Sequence, residues 1–80
     1  MEDFEGHITH AGTDYEVNIS PVYNEVLDEV NYAVSYAGAS SFLLAWENSE
    51  NPGFKIQGAA PYVAYEMKEA ISIVIEHHYT

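Results

Sequence analysis

Ser20-Pro21-Val22-Tyr23-Asn24-Glu25-Val26-Leu27-Asp28-Glu29-Val30-Asn31-Tyr32-Ala33-Val34-Ser35-Tyr36-Ala37-Gly38 is the stretch on which the fold turns. Ser is a good N-cap, and Pro suits the first helical position, where its missing N–H costs nothing. Val22, Val26, Leu27, Val30, Ala33, Val34 and Ala37 follow at helical spacing, and Gly38 offers a C-terminal stop. Asn24, Glu25, Asp28, Asn31 and Ser35 would then form the wet face. A second reading competes, because Val30 to Tyr36 alternates with the period of a strand. Cap, stop and length agree on a helix, so a helix is the expectation.

On the N-terminal side, Gly6 to Ile19 reads as two short strands. Ala11-Gly12-Thr13-Asp14 supplies a turn, since Gly and Asp tolerate turn backbone. Tyr15, Val17 and Ile19 alternate with Glu16 and Asn18, so the apolar set shares one face. On the C-terminal side, Ser41-Phe42-Leu43-Leu44-Ala45-Trp46-Glu47 is an apolar run with strand character. Asn48 to Gly53 is a loop with Pro-Gly as its turn, and Phe54 to Gln57 alternates as a strand. Pro61 opens a second helix with Val63, Met67, Ala70, Ile71, Val74 and Ile75 as its stripe. Glu66, Lys68, Glu69, Ser72 and Glu76 fall on or near its wet side.

The expected order is ββαββα in one domain: an α+β fold, a four-stranded, mostly antiparallel sheet with two helices on one face. The other sheet face then presents Glu16, Asn18, Glu47, Lys55 and Gln57 to solvent. The halves also echo each other, with Pro21, Leu27, Glu29 and Val34 aligning at an offset of forty with Pro61, Met67, Glu69 and Val74.

Charge narrows the function. Thirteen Asp and Glu face two cations, Lys55 and Lys68, for a net charge of −11 on 80 residues. Small soluble domains usually sit at a magnitude of about 2–8. Gripping nucleic acid takes several Lys or Arg to displace counterions, so direct binding to nucleic acid is excluded. The basic surface of a protein that does grip it is the natural counterpart. Disorder is disfavoured, because 48% of residues are hydrophobic and seven are Tyr. No run reaches the ~18–20 apolar residues of a membrane span, and the acidic start Met1-Glu2-Asp3-Phe4-Glu5 is unlike a signal peptide. With no Cys there is no disulfide framework, so the expectation is a soluble, cytoplasmic protein without membrane contact.

Catalytic readings are weak. His7 and His10 lie three apart in a strand and so point to opposite faces. His77 and His78 end a helix, where they complement the dipole. No metal-ligand spacing results. Ser40 and Ser41 lack a nucleophile elbow, and no phosphate loop or dinucleotide fingerprint is present. The Asn48–Asn51 loop has oxygen ligands, with Glu47 and Glu50 nearby, but lacks the spacing and central Gly of a calcium loop. Paired carboxylates for sugar hydrolysis need a deep pocket that so small a domain has little room for. The expectation is a protein that is not an enzyme and carries no cofactor or metal.

The carboxylates themselves remain. On the expected helix, Glu25 is a surface neighbour of Asp28 and Glu29, at ~5–6 Å between Cβ atoms. Glu2, Asp3, Glu5, Asp14 and Glu16 form a second group in the N-terminal hairpin. Tyr15 and Tyr62 are assigned to the core, whereas Tyr23, Tyr32, Tyr36 and Tyr65 lie nearer the wet faces. Tyr beside carboxylates suits an Arg-rich partner.

In size, single acidic domain, scarcity of Lys and Arg, and clusters such as Glu25/Asp28/Glu29, the chain resembles the small acidic inhibitors that phages encode against host defence, of the anti-CRISPR and DNA-mimic type. That likeness spans the whole chain and rests on no shared motif. It implies a stoichiometric, non-catalytic inhibitor occupying the nucleic-acid channel of a CRISPR effector or similar basic complex in the host cytoplasm. The expected partner-binding residues are Glu25, Asp28, Glu29, Glu16 and Glu47 as phosphate surrogates, with Tyr32 and Tyr36 as anchors. Two alternatives stand beside it. One is a small structural or assembly protein that self-associates, as a homodimer or larger, through the exposed sheet or the Phe42–Trp46 strand. The other is an antitoxin-like regulator that sequesters a basic partner.

Overall fold

A computed structural model describes residues 2–37, 41–48, 50–57 and 63–80 of the chain. The strands are β1 (Phe4–His10), β2 (Thr13–Asn24), β3 (Glu29–Tyr36), β4 (Phe42–Glu47) and β5 (Gly53–Gln57), followed by helix α1 (Tyr65–His78). They form one five-stranded sheet in the order β1-β2-β3-β4-β5, and every neighbouring pair is antiparallel. The fold is α+β, but the expected ββαββα order with four strands and two helices is wrong. The observed order is βββββα.

The error lies in the stretch from Ser20 to Gly38. Its alternation wins over its helical spacing. Val30, Tyr32, Val34 and Tyr36 occupy one face of β3 and pair with Tyr23, Pro21, Ile19 and Val17 of β2. Val and Tyr are good strand formers, while Asn, Asp, Ser and Val rank low as helix formers. Pro21 does not open a helix. It lies beyond Ile19, the last β2 residue paired with β1, where β2 is locally an edge and tolerates a proline. Gly38, the expected helix stop, lies outside the described residues, as do Ser40, Pro61 and Tyr62. The echo between halves has no structural counterpart, since Leu27, Glu29 and Val34 sit on a turn and a strand, but Met67, Glu69 and Val74 on a helix.

Turn chemistry sets both N-terminal hairpins. His10 and Thr13 pair across Ala11-Gly12, whose φ values of 51° and 78° make a tight turn with both central residues left-handed. In the second hairpin Asn24 pairs with Glu29, and residues 25–28 form the loop. The Asn24 Oδ1 accepts from the amides of Val26 (3.0 Å) and Leu27 (3.1 Å), and Asp28 adopts φ 51°. Asn and Asp are suited to both tasks.

The core is a single apolar layer between sheet and helix. Ile8, Val17, Ile19, Val34, Phe42, Leu44 and Phe54 from the sheet meet Met67, Ile71 and Ile75 from α1. The helix of 14 residues is ~21 Å long, close to the ~19 Å width of five strands. One helix therefore suffices to cross the sheet. At one end Lys68 Nζ donates to the Phe54 carbonyl of β5 at 3.1 Å. At the other, His78 stacks on Phe4 of β1 with ring centroids 3.7 Å apart. The expected stripe of α1 is thus inward, although Ser72, expected on the wet side, is buried and donates to the Lys68 carbonyl at 2.8 Å.

Close approach at the crossing makes Gly6 sensitive. A Cβ there would overlap Val74 Cγ1 and lie 3.1 Å from its Cγ2. Valine is stiff at χ1, so the helix must shift. Gly6→Ala is expected to cost about 1–3 kcal/mol by overpacking. Adding Val74→Ala should recover part of that loss, as read by urea denaturation of the single and double variants. A loss that Val74→Ala leaves untouched would show that the helix does not ride over Gly6.

Candidate interaction face

Alternation along each strand sends one set of side chains to the helix and the other to solvent. The pairing registers assemble the solvent set into rows across the sheet. One row runs Glu5, Asn18, Ser35, and the next Ser20, Ala33, Leu43, Gln57. A third runs Val22, Asn31, Ala45, Lys55. Asn24 and Glu29 pair beyond it, as do Glu47 and Gly53. Toward the other end, Glu16 pairs with His7 and Asp14 with Thr9. Among the described residues no helix lies on this face, and it is the candidate site.

Its charge is polarised. Glu5, Asp14 and Glu16 gather at one end, and Glu29 and Glu47 at the other. The two middle rows carry only small, amide or apolar side chains and Lys55. From the row of Asn18 to the row of Asn24 is six residues of β2, or ~20 Å. Glu16 and Glu47, expected on one sheet face, therefore belong to separate acidic ends of it. Glu5 and Glu16 are diagonal neighbours across β1 and β2. The Glu5 carboxyl is held above the usual carboxylate range, first by a hydrogen bond with Glu16 and then by that neighbour's charge. Asp14 is tied locally, its Oδ1 accepting from Thr9 Oγ1 at 2.6 Å. Buried in the middle of the face, Asn31 Oδ1 has no hydrogen-bond partner among the described residues.

Glu25, Asp28 and Glu29 do not share a helix surface. Glu25 and Asp28 occupy the β2–β3 loop, and Glu29 begins β3. Asp28 Oδ1 accepts from the Tyr23 hydroxyl, and that bond raises the Tyr23 pKa. The expected wet position of Tyr32 and Tyr36 is also corrected. Both lie half-buried on the helix side, because they alternate in phase with Val34. Tyr32 meets Phe54 and Tyr79 with centroids 5.7 and 6.1 Å away, and Tyr36 meets Tyr15 and Phe42 at 5.6 and 6.3 Å. Burial raises the pKa of both phenols. They are core-edge residues and are not available as anchors on the open face.

Other features were hidden from the sequence. Val26 and Leu27, placed on a buried stripe by their helical spacing, stand at the hairpin tip with 92% and 63% of their surface exposed. Asn24 and Asp28 flanking them were the turn signal. On the helix side, a shallow groove of about 240 Å³ runs between the loop before β5 and α1, lined by Trp46, Phe54, Tyr65, Lys68 and Glu69 among others. Lys68 is committed there to the Phe54 carbonyl and sits 5.0 Å from the Tyr65 ring centre.

His7 and His10 fall on opposite faces of β1. Among the described residues no group of three His, Asp or Glu is placed to hold a metal ion, and no helix is long and apolar enough to cross a membrane. No family model, curated protein or solved structure matches the chain.

Proposed function

We propose that the protein is a non-catalytic acidic inhibitor that docks on the basic, nucleic-acid-binding surface of a larger complex, with a CRISPR effector of the host cytoplasm as the partner. The observation that supports this reading is the sheet face that no described helix covers, with carboxylates at both ends and Lys55 as the one Lys or Arg on it. Two acidic ends ~20 Å apart fit an extended basic channel better than a single basic pocket. That span equals about six phosphate steps along one strand of duplex DNA. The Lys and Arg that hold successive phosphates would meet Glu5 and Glu16 at one end and Glu29 and Glu47 at the other.

A panel of purified CRISPR effector complexes, each titrated with the protein, tests it by gel shift with labelled target DNA. At least one complex should lose DNA binding in a stoichiometric, mutually exclusive manner. The effect should fade as salt is raised, because exposed charge pairs are screened. If no complex is affected, and sedimentation shows instead a defined oligomer that persists at high salt, the self-associating reading replaces this one. The Phe42–Trp46 strand expected to mediate it lies inside the sheet between β3 and β5, so that alternative draws instead on the outer edges of β1 and β5, which pair with no described strand and are templates for strand addition.

A further inference from the structure

The β2–β3 hairpin tip projects an apolar pair away from the core. Val26 is 92% and Leu27 63% exposed, and behind them Val22 and Tyr23 are 47% and 50% exposed. A domain this small has few apolar side chains to spare from its core. Their exposure is maintained by local bonds. Asn24 Oδ1 holds the amides of both tip residues, and the Tyr23 hydroxyl holds Asp28. A loop already ordered loses little entropy on docking. Glu25, Asp28 and Glu29 ring the pair.

We infer that this tip is an anchor that enters an apolar pocket rimmed by Lys or Arg on a partner protein. Charge decides the occupant. A second copy docking tip to tip would bring two sets of Glu25, Asp28 and Glu29 together, which like-charge repulsion opposes. An anionic membrane surface repels the same ring. A cationic rim pairs with it while the pocket takes Val26 and Leu27. The inference rests on the proposal that the partner is basic, and adds an apolar, position-specific contact to it.

The test uses a synthetic amphipathic Leu/Lys helical peptide, whose apolar face is bordered by ammonium groups, titrated into the isotope-labelled protein by NMR. Amide shifts should saturate at Val26 and Leu27 and also appear around Glu16 and Glu47. Val26→Ser with Leu27→Ser should weaken binding at least about tenfold, while the shifts around Glu16 persist. Both residues are exposed, so the double variant should keep the unchanged spectrum of the core. Shifts on the sheet face alone, with the double variant binding equally well, would overturn the anchor and leave the basic-partner reading standing. Tip shifts that are indifferent to salt and absent from the face would overturn both the cationic rim and that reading. Tip resonances that move on dilution without peptide would identify a second copy as the occupant and overturn the inference.

Discussion

Ile71→Ala should destabilise the protein by about 2–5 kcal/mol, a large share of the roughly 4–12 kcal/mol that holds a domain of this size together. Ile71 is completely buried at the middle of α1, where the helix meets the sheet. Deleting its branched chain removes transfer energy and leaves a cavity that a single-layer core has little freedom to close. Chains this short bury only about 60% of their unfolded surface, so no second core compensates. Trp46, whose ring meets Phe54 edge-on at 5.3 Å, is the only Trp and reports unfolding by fluorescence. The urea midpoint should fall sharply. Ile73→Ala, on the exposed side of the same helix, should stay within about 0.5 kcal/mol of the unaltered protein. Equal losses at both positions would mean that α1 does not present the Met67–Ile71–Ile75 side to the sheet.

Replacing Glu16, Glu29 and Glu47 together by Gln should have the largest effect on binding. The substitution takes the net charge from −11 to −8, since three carboxylates are removed. All three sit on the open face away from the core, so the fold should remain and gain slightly at low salt as self-repulsion eases. Affinity for a basic partner should fall by roughly 100- to 1,000-fold at low salt, at about 1 kcal/mol or somewhat more per desolvated charge contact. Its dependence on salt should become shallower. The control is Glu66, Glu69 and Glu76 changed to Gln on α1, which makes the same charge change on the opposite side of the molecule. That variant should bind almost normally. If the two variants lose equally, net charge and not the sheet face governs association. Asp28 is left out of the set because its carboxylate holds the Tyr23 hydroxyl, so its loss would disturb the hairpin as well as the charge.

The candidate site was legible in parts. Glu16, Asn18, Glu47, Lys55 and Gln57 were expected on the sheet face away from the helix side, and strict alternation was enough to put them there. Glu29 could be placed on that face only once β3 was known to be a strand. Tyr32 and Tyr36 were misplaced for the same reason: read on a helix they face water, read on a strand they face α1. The separation of the acids into two ends follows from the registers, and nothing in the spacing of single residues reveals a register.

Composition and local pattern by themselves determined the acid excess, the first hairpin about Ala11-Gly12, the strands at Phe42–Glu47 and Phe54–Gln57, and the inward stripe of α1. These are elements whose turn residues and periodicity agree. Residues 20–38 carry both periods at once, with Val22, Val26, Val30 and Val34 at helical intervals and Val30, Tyr32, Val34 and Tyr36 at strand intervals. Tertiary structure decided between them. As a strand, this segment puts Val34 into the core and lets Tyr32 and Tyr36 cover its edges against Phe54, Tyr15 and Phe42, at the cost of exposing Val26 and Leu27 at a turn and half-exposing Val22 and Tyr23 behind it. The preference belongs to the partners across β2, β4 and α1, which a local window does not contain.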